Sequence, residues 1–185
     1  MSDDHSHSAL LVPPSTQEWM QGVLSAKVVL VMYGDYQCPR SADVYKLIQA
    51  IKRELSAAFG EDDLCFIFRH FPQTQIYPHA QRAAQAAEAA AAQGQFWLMS
   101  DTLFDHQQRL ENGYLVEYAN DLGLDMPQFF KELSKQVHVD RINEAIESGI
   151  RIGVTNTPAL FINGNRYTGH WNTTELLAAI VTASH

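Results

Sequence analysis

The residues best placed to do chemistry are Cys38, Pro39, Arg40 and Ser41, which follow the apolar run "KVVLVMYGD" at the point where a helical pattern begins. Pro39 suits the first position of a helix, because its missing N–H would have no intrahelical partner there. The Cys38 sulfur then faces the N–H groups of Arg40 and Ser41 at the positive end of the helix dipole, which favours thiolate over thiol. The Arg40 cation and a hydrogen bond from the Ser41 hydroxyl push the same way. A thiolate in this position attacks disulfides and forms mixed disulfides. The competing role for an isolated cysteine is a small buried hydrophobe. Position favours the reactive role, since a strand-to-helix turn at the C-terminal edge of a parallel sheet is where α/β folds build their sites.

Cys65 reads differently. It lies near the start of the apolar run "LCFIFRHF", and its expected role is structural. In a parallel crossover Cys38 is past the end of its strand and Cys65 is near the start of the next. At roughly 3.3 Å per residue, about 15 Å would separate them, against a Cα limit near 7 Å for a disulfide.

The elements around these residues follow from periodicity. "KVVLVMYGD" is a strand buried on both faces. From Pro39 to about Phe59, apolar Val44, Leu47, Ile48, Ile51 and Leu55 fall at helical spacing, with Gly60 as the stop. "LCFIFRHF" is a second strand, and the order strand, helix, strand predicts a right-handed parallel crossover. From Pro78 to about Gly149 only helices are expected. They comprise the alanine-dense stretch ended by Gly94, the segment "FWLMSDTLFDHQ", then Tyr114 to Leu122, Met126 to Lys135 and Val139 to Ser148, with Gly113, Gly123 and Pro127 at the joints. "PALFING" and "RYTG" read as a hairpin around Asn163-Gly164, and Asn172 with Glu175 as the start of a closing helix. The expected organisation is a lead-in over residues 1–18, an α/β domain from 19–76 and 150–185, and a helical insertion over 77–149.

Composition limits the partners. With 185 residues, 46% hydrophobic, the chain can bury a real core. A net charge of −8 with no basic cluster argues against nucleic acid and anionic membranes. The acidic start, with apolar residues only from Ala9 to Val12, is no secretory signal, and no segment has the length of a membrane helix. A cytoplasmic location is expected, where two cysteines are not a disulfide framework. His5 and His7 form an HxH pair in a polar tail, and His70, His79 and His106 are isolated. Asp35 and Tyr36 flank the thiol, while Phe96, Trp97, Phe104 and Tyr114 fall at helical spacings as core residues. No phosphate loop, dinucleotide fingerprint or zinc spacing is present.

"YGDYQCPRS", "FRHFP" with Pro78-His79, "QGQFWLMSDTLFDHQ", "LGLD", "GIRIGVTNTPALFING" and Gly169, in that order from about Val28 onward, resemble the DsbA-like branch of the thioredoxin superfamily. The resemblance implies a thioredoxin fold with an inserted α-helical domain, and a thiol-disulfide oxidoreductase without a bound cofactor. It also implies that Thr157-Pro158 is the family's cis-proline, beside the active cysteine and presenting the Thr157 backbone to an extended substrate. The residues alone leave cis and trans open, proline being the one residue for which cis is cheap. The departure is Ser41, where the family places a resolving cysteine. One sulfur supports isomerisation, glutathionylation chemistry or capture, with protein or glutathione disulfides and thiols as partners, but no self-contained two-electron cycle. The alternatives are a kappa-type glutathione transferase or isomerase, in which the Ser41 region activates glutathione, and a non-catalytic binding module that keeps the fold.

Overall fold

The structure is a computed structural model that describes residues 13–59 and 63–185. His5 and His7, the apolar run from Ala9 to Val12, the helix stop at Gly60 and most of the lead-in 1–18 lie outside the described residues.

Chain order runs β1 (Trp19–Gln21), β2 (Val28–Gly34), α1 (Pro39–Phe59), β3 (Leu64–His70), then α2 (Ala80–Ala91), α3 (Phe96–Asp105), α4 (Asn112–Asp121), α5 (Met126–Lys135) and α6 (Val139–Arg151). It closes with β4 (Ala159–Ile162), β5 (Asn165–Arg166) and α7 (Thr173–Ala183). The result is an α/β fold with one five-stranded sheet in the order β1-β3-β2-β4-β5. Val28 N donates to Asp63 O at 3.2 Å and Phe71 N to Gly34 O at 2.8 Å, so the two strands share their starts and their ends. They therefore run parallel, joined through α1. β1 pairs antiparallel with β3, and β4 antiparallel with both β2 and β5, with Trp19 opposite Phe68 and Leu30 opposite Ile162.

By internal packing the chain forms two compact units. One comprises the segment up to Tyr33, Val44–Arg69 and Ser148–His185; the other comprises Gly34–Asp43 and His70–Glu147. The first holds nearly all of the sheet. Leu30, Met32, Phe66, Ile67 and Phe161 are fully buried there, as are Ile48 and Ile51 of α1, and the Tyr45 ring lies 6.0 Å from that of Phe66. Each such side chain contributes roughly 1.5–3 kcal/mol by leaving water. The second unit is helical and centres on α2, where ten residues are buried, eight of them alanines. A helix buried nearly all round is a central helix, and its small side chains allow neighbours to approach closely. Met99, Leu103, Leu115, Ala119, Phe129 and Ile142 complete that core.

The structure departs from the sequence expectations at element ends. β1 was not expected as a strand. Gly22 follows it at φ +104°, and a Cβ there would meet Leu64 O at 2.6 Å, so only glycine lets the chain pass β3. Gly113 is inside α4 rather than at a joint, because Glu111 O accepts from Tyr114 N and Leu115 N and starts the helix earlier. α6 likewise runs through Gly149 to Arg151, and the chain turns at Gly153, with Val154 N bonded to Gly149 O at 3.0 Å. The "RYTG" strand shortens to Asn165–Arg166, since the Tyr167 hydroxyl turns to His170 O at 2.7 Å and its ring packs on Trp171. The hairpin itself is as expected, with Asn163 and Gly164 both at positive φ. Asn172 caps α7, accepting from Glu175 N at 2.9 Å.

One charge is buried in the sheet unit. Arg69 of β3 gives Glu18 Oε1 two hydrogen bonds, of 3.1 and 2.6 Å, and donates to the Tyr33 hydroxyl at 2.9 Å. Tyr33 in turn meets Ser148 Oγ at 2.8 Å. Burial opposes the charge, but Glu18 and Tyr33 outweigh it and hold the guanidinium more firmly protonated than usual. Glu18→Ala removes an ion-pair partner of that buried cation and is expected to cost about 3–5 kcal/mol. Urea unfolding reads this directly; an unchanged midpoint would mean the pair contributes nothing net.

Candidate functional site

The β2–α1 turn has to pass from a buried strand to a helix within four residues, and one carboxyl organises it. Asp35 is 1% exposed, and Oδ1 accepts from Gln37 N at 2.8 Å while Oδ2 accepts from Gln73 N at 2.8 Å. Its backbone carbonyl accepts from Cys38 N at 3.1 Å, and its own amide donates to Ser41 Oγ at 3.2 Å. Burial raises the Asp35 carboxyl above its ordinary value, and the amides of Gln73, Gln37 and Cys38 pull it back only in part.

The helical unit grips the same turn from further along the chain. Gln107 Nε2 donates to both Tyr36 O and Cys38 O, each at 2.8 Å. Gln37 Oε1 accepts from His79 N at 2.8 Å. Tyr36 is buried, its hydroxyl 2.7 Å from Ser100 Oγ and its ring 4.8 Å from that of Phe104. Burial pushes that phenol well above its ordinary range.

Cys38 closes the turn and opens α1. Its carbonyl accepts from Ala42 N at 3.2 Å, which makes it the residue before the first helical position and puts Pro39 in that position as expected. The amides of the helix's first turn have no carbonyl four residues earlier within the helix. Cys38 is 4% exposed, whereas Pro39 and Arg40 are exposed, so the Arg40 cation is screened by water. Ser41 is fully buried, and its oxygen serves the turn as acceptor for Asp35 N. The Cys38 side chain is hydrogen-bonded to the Tyr77 phenol.

The remaining residues singled out from sequence fall as follows. Thr157-Pro158 has the cis peptide and belongs to the sheet unit, directly before β4, with Thr157 buried. Cys65 is fully buried in β3, and both cysteines are free thiols; burial pushes Cys65 up, against a smaller pull from Lys52. His70 is buried against Glu88 of α2 at 2.8 Å, and Arg141 reaches the same carboxylate at 3.2 Å. Phe96 and Phe104 are core, while Trp97 is half-buried and Tyr114 exposed. Among the described residues no group of three or more His, Cys, Asp or Glu could hold a metal ion. Sequence reading missed Gln73, Tyr77 and Gln107. They lie 35 to 72 residues from the turn they hold, and no local pattern marks them.

A family model described as Thioredoxin matches residues 15–182, and the chain belongs to that family. Over 168 residues it is 39% identical to "Na(+)/H(+) antiporter NhaA 1" of Mycolicibacterium vanbaalenii, a match covering 89% of this chain and 26% of that protein. The chain spans about a quarter of the length of the curated relatives it matches, and the antiporter name belongs to those longer proteins. Among the described residues no helix is long and apolar enough to cross a membrane. In fold the chain is similar to alpha-DsbA1 of Wolbachia pipientis, at a TM-score of 0.80 and 18% identity, covering 94% of each chain. It is also similar to MdbA of Corynebacterium diphtheriae, a thiol-disulfide oxidoreductase, at a TM-score of 0.68 and 16% identity, covering 90% of this chain and 89% of that one. The fold is therefore the DsbA-like thioredoxin fold.

Asp35 supplies a pH dependence with a definite sign. The folded state holds its proton more tightly than the unfolded chain does. Its favourable contribution is thus full at acid pH and is lost as pH rises through the raised folded value. Asp35→Asn cannot ionise, so its stability should fall less than the parent's between about pH 4 and pH 7. Urea midpoints at the two pH values give the comparison, and parallel losses would contradict the raised value.

Proposed function

We propose that this chain is a thiol-disulfide oxidoreductase acting through a single sulfur, with Cys38 forming a mixed disulfide with a protein or with glutathione. The observation that carries the reading is the build of the turn. Cys38 is held at the start of α1 by Asp35 and Gln107, while the place one helical turn on holds the buried oxygen of Ser41. The thiolate attacks a disulfide, the new S–S bond forms on Cys38, and the displaced sulfur leaves with the electron pair and takes a proton from water. Ser41 cannot resolve that bond. A second thiol has to do so, from the substrate itself or from glutathione as co-substrate.

In this reading Pro39 sets the start of the helix and Arg40 adds a screened positive charge. Thr157 and Pro158 orient the extended partner, the role that the family resemblance gives them. The sulfur does the chemistry without a resident cofactor. A free thiol as the working form suits a reducing compartment such as the cytoplasm, and the net charge of −8 favours neither nucleic acid nor an anionic membrane as partner.

Mass measurement after exposure to oxidised glutathione tests the reading. The parent is expected to gain a glutathione adduct on Cys38 and Cys38→Ser to gain none; a parent without an adduct, or with one on Cys65 alone, would overturn it. Ser41→Cys asks whether only the second sulfur is missing, because residues three apart share a helix face. That variant is expected to form a Cys38 disulfide with the introduced thiol and to gain dithiol-dependent insulin reduction. A disulfide without a gain in turnover would instead favour a binding module.

A further inference from the structure

Residues 73–79 are anchored to the two residues that flank Tyr36 in the site turn. Gln73 N is bonded to Asp35 Oδ2 and His79 N to Gln37 Oε1, each at 2.8 Å. Between these anchors the backbone is folded on itself, with Ile76 N and Tyr77 N both donating to Gln73 O, at 3.0 and 2.8 Å, and Ala80 N donating to Tyr77 O at 3.2 Å. Tyr77 is thereby fixed at a set place against the Cys38 turn. Its side chain is half-buried and its hydroxyl is hydrogen-bonded to the Cys38 side chain. Burial, then the charge and hydrogen bond of the Cys38 sulfur, then Asp35 hold the phenol above its ordinary value. It keeps its proton at neutral pH and acts as a donor. Of the hydroxyls close to Cys38 in sequence, that of Tyr36 meets Ser100 Oγ and the Ser41 oxygen is engaged by Asp35 N.

We infer that Tyr77 is a catalytic hydrogen-bond donor of the Cys38 site, stabilising the sulfur each time it carries negative charge. The inference rests on the thiol chemistry proposed above. In the first half-reaction the Tyr77 O–H holds the attacking thiolate. The S–S bond to Cys38 forms, the substrate's S–S bond breaks, and the displaced thiolate is protonated from water while Tyr77 keeps its own proton. In the second half-reaction a small-molecule thiolate attacks the substrate sulfur of the mixed disulfide. The bond to Cys38 breaks, and Cys38 departs as a thiolate that the same O–H receives. Thiol-disulfide exchange is faster when the leaving sulfur is a better anion. A site without a resolving thiol depends on an outside thiol for release, so stabilising Cys38 as leaving group bears directly on turnover. Asp35, with its raised value, and the solvent-screened Arg40 lie on the same turn.

Tyr77→Phe removes the hydroxyl and keeps the ring. Two rates are read on the full chain: alkylation of Cys38 by iodoacetamide, followed by mass on the Cys38 peptide, and release of Cys38-bound glutathione by an added thiol. Losing a hydrogen bond to a charged group is expected to slow both about tenfold at neutral pH. Ile76→Ala, an exposed neighbour in the same segment, should leave both rates unchanged. Equal rates for the parent and Tyr77→Phe, or an equal loss in Ile76→Ala, would overturn the role of Tyr77. A parent that forms no mixed disulfide would refute the proposed reaction instead, and the alkylation rates would still decide the role of Tyr77.

Discussion

Between the end of β2 and the start of α1 the chain must reverse its surroundings within four residues, with almost no water to satisfy its backbone. Buried N–H and C=O groups have to be paired there by protein atoms. Asp35 meets part of that requirement. Its two carboxyl oxygens take the amides of Gln37 and Gln73, and its carbonyl takes the amide of Cys38. The side chains of Gln107 and Ser41 add three more pairings, to the carbonyls of Tyr36 and Cys38 and the amide of Asp35. The position of Cys38 is thus a consequence of backbone satisfaction. A sulfur held this way has little freedom to wander from the helix start, which is the condition for any effect of the helix terminus on it.

The same requirement explains why Ser41 is more than an empty place in a dithiol site. An oxygen is a good acceptor and a thiol sulfur a weak one. With serine at this position the Asp35 amide is paired deep inside the protein, where an unpaired donor costs about 1–3 kcal/mol. The Ser41 oxygen thus completes the turn.

What could be read in the sequence was what depends on neighbours along the chain. Strands β2 and β3, helix α1 and the position of Pro39 follow from periodicity and from the rule for a first helical residue. The Asn163-Gly164 turn and the Asn172 cap follow from side chains that act over two or three residues. Glycine was the unreliable sign: Gly113 and Gly149 sit inside helices because carbonyls elsewhere, on Glu111 in the first case, decide where a helix begins or ends. The site beyond its four motif residues was not legible. Tyr77, Gln73 and Gln107 reach the turn across dozens of residues, and the Arg69–Glu18 pair spans 51. Tyrosine or glutamine at such distances carries no mark of its partner until the fold brings them together.

Those distant partners also define what the helical segment does. Residues 34–43 belong to the same compact unit as the helices of residues 70–147. Within that unit the Cys38 turn is tethered by Gln107 on two carbonyls, by the 73–79 segment through two amides, and by Tyr77 on the sulfur. The alanine-rich α2 then acquires a purpose beyond filling space. It starts immediately after His79, and a buried helix with small side chains has little room to shift, so the segment leading into it is fixed in place. The ion pair of Glu88 with His70 ties the same helix to the end of β3 within that unit. The placement of the Cys38 sulfur is in this way set by residues of the same unit that lie far from the Cys38–Ser41 motif in sequence.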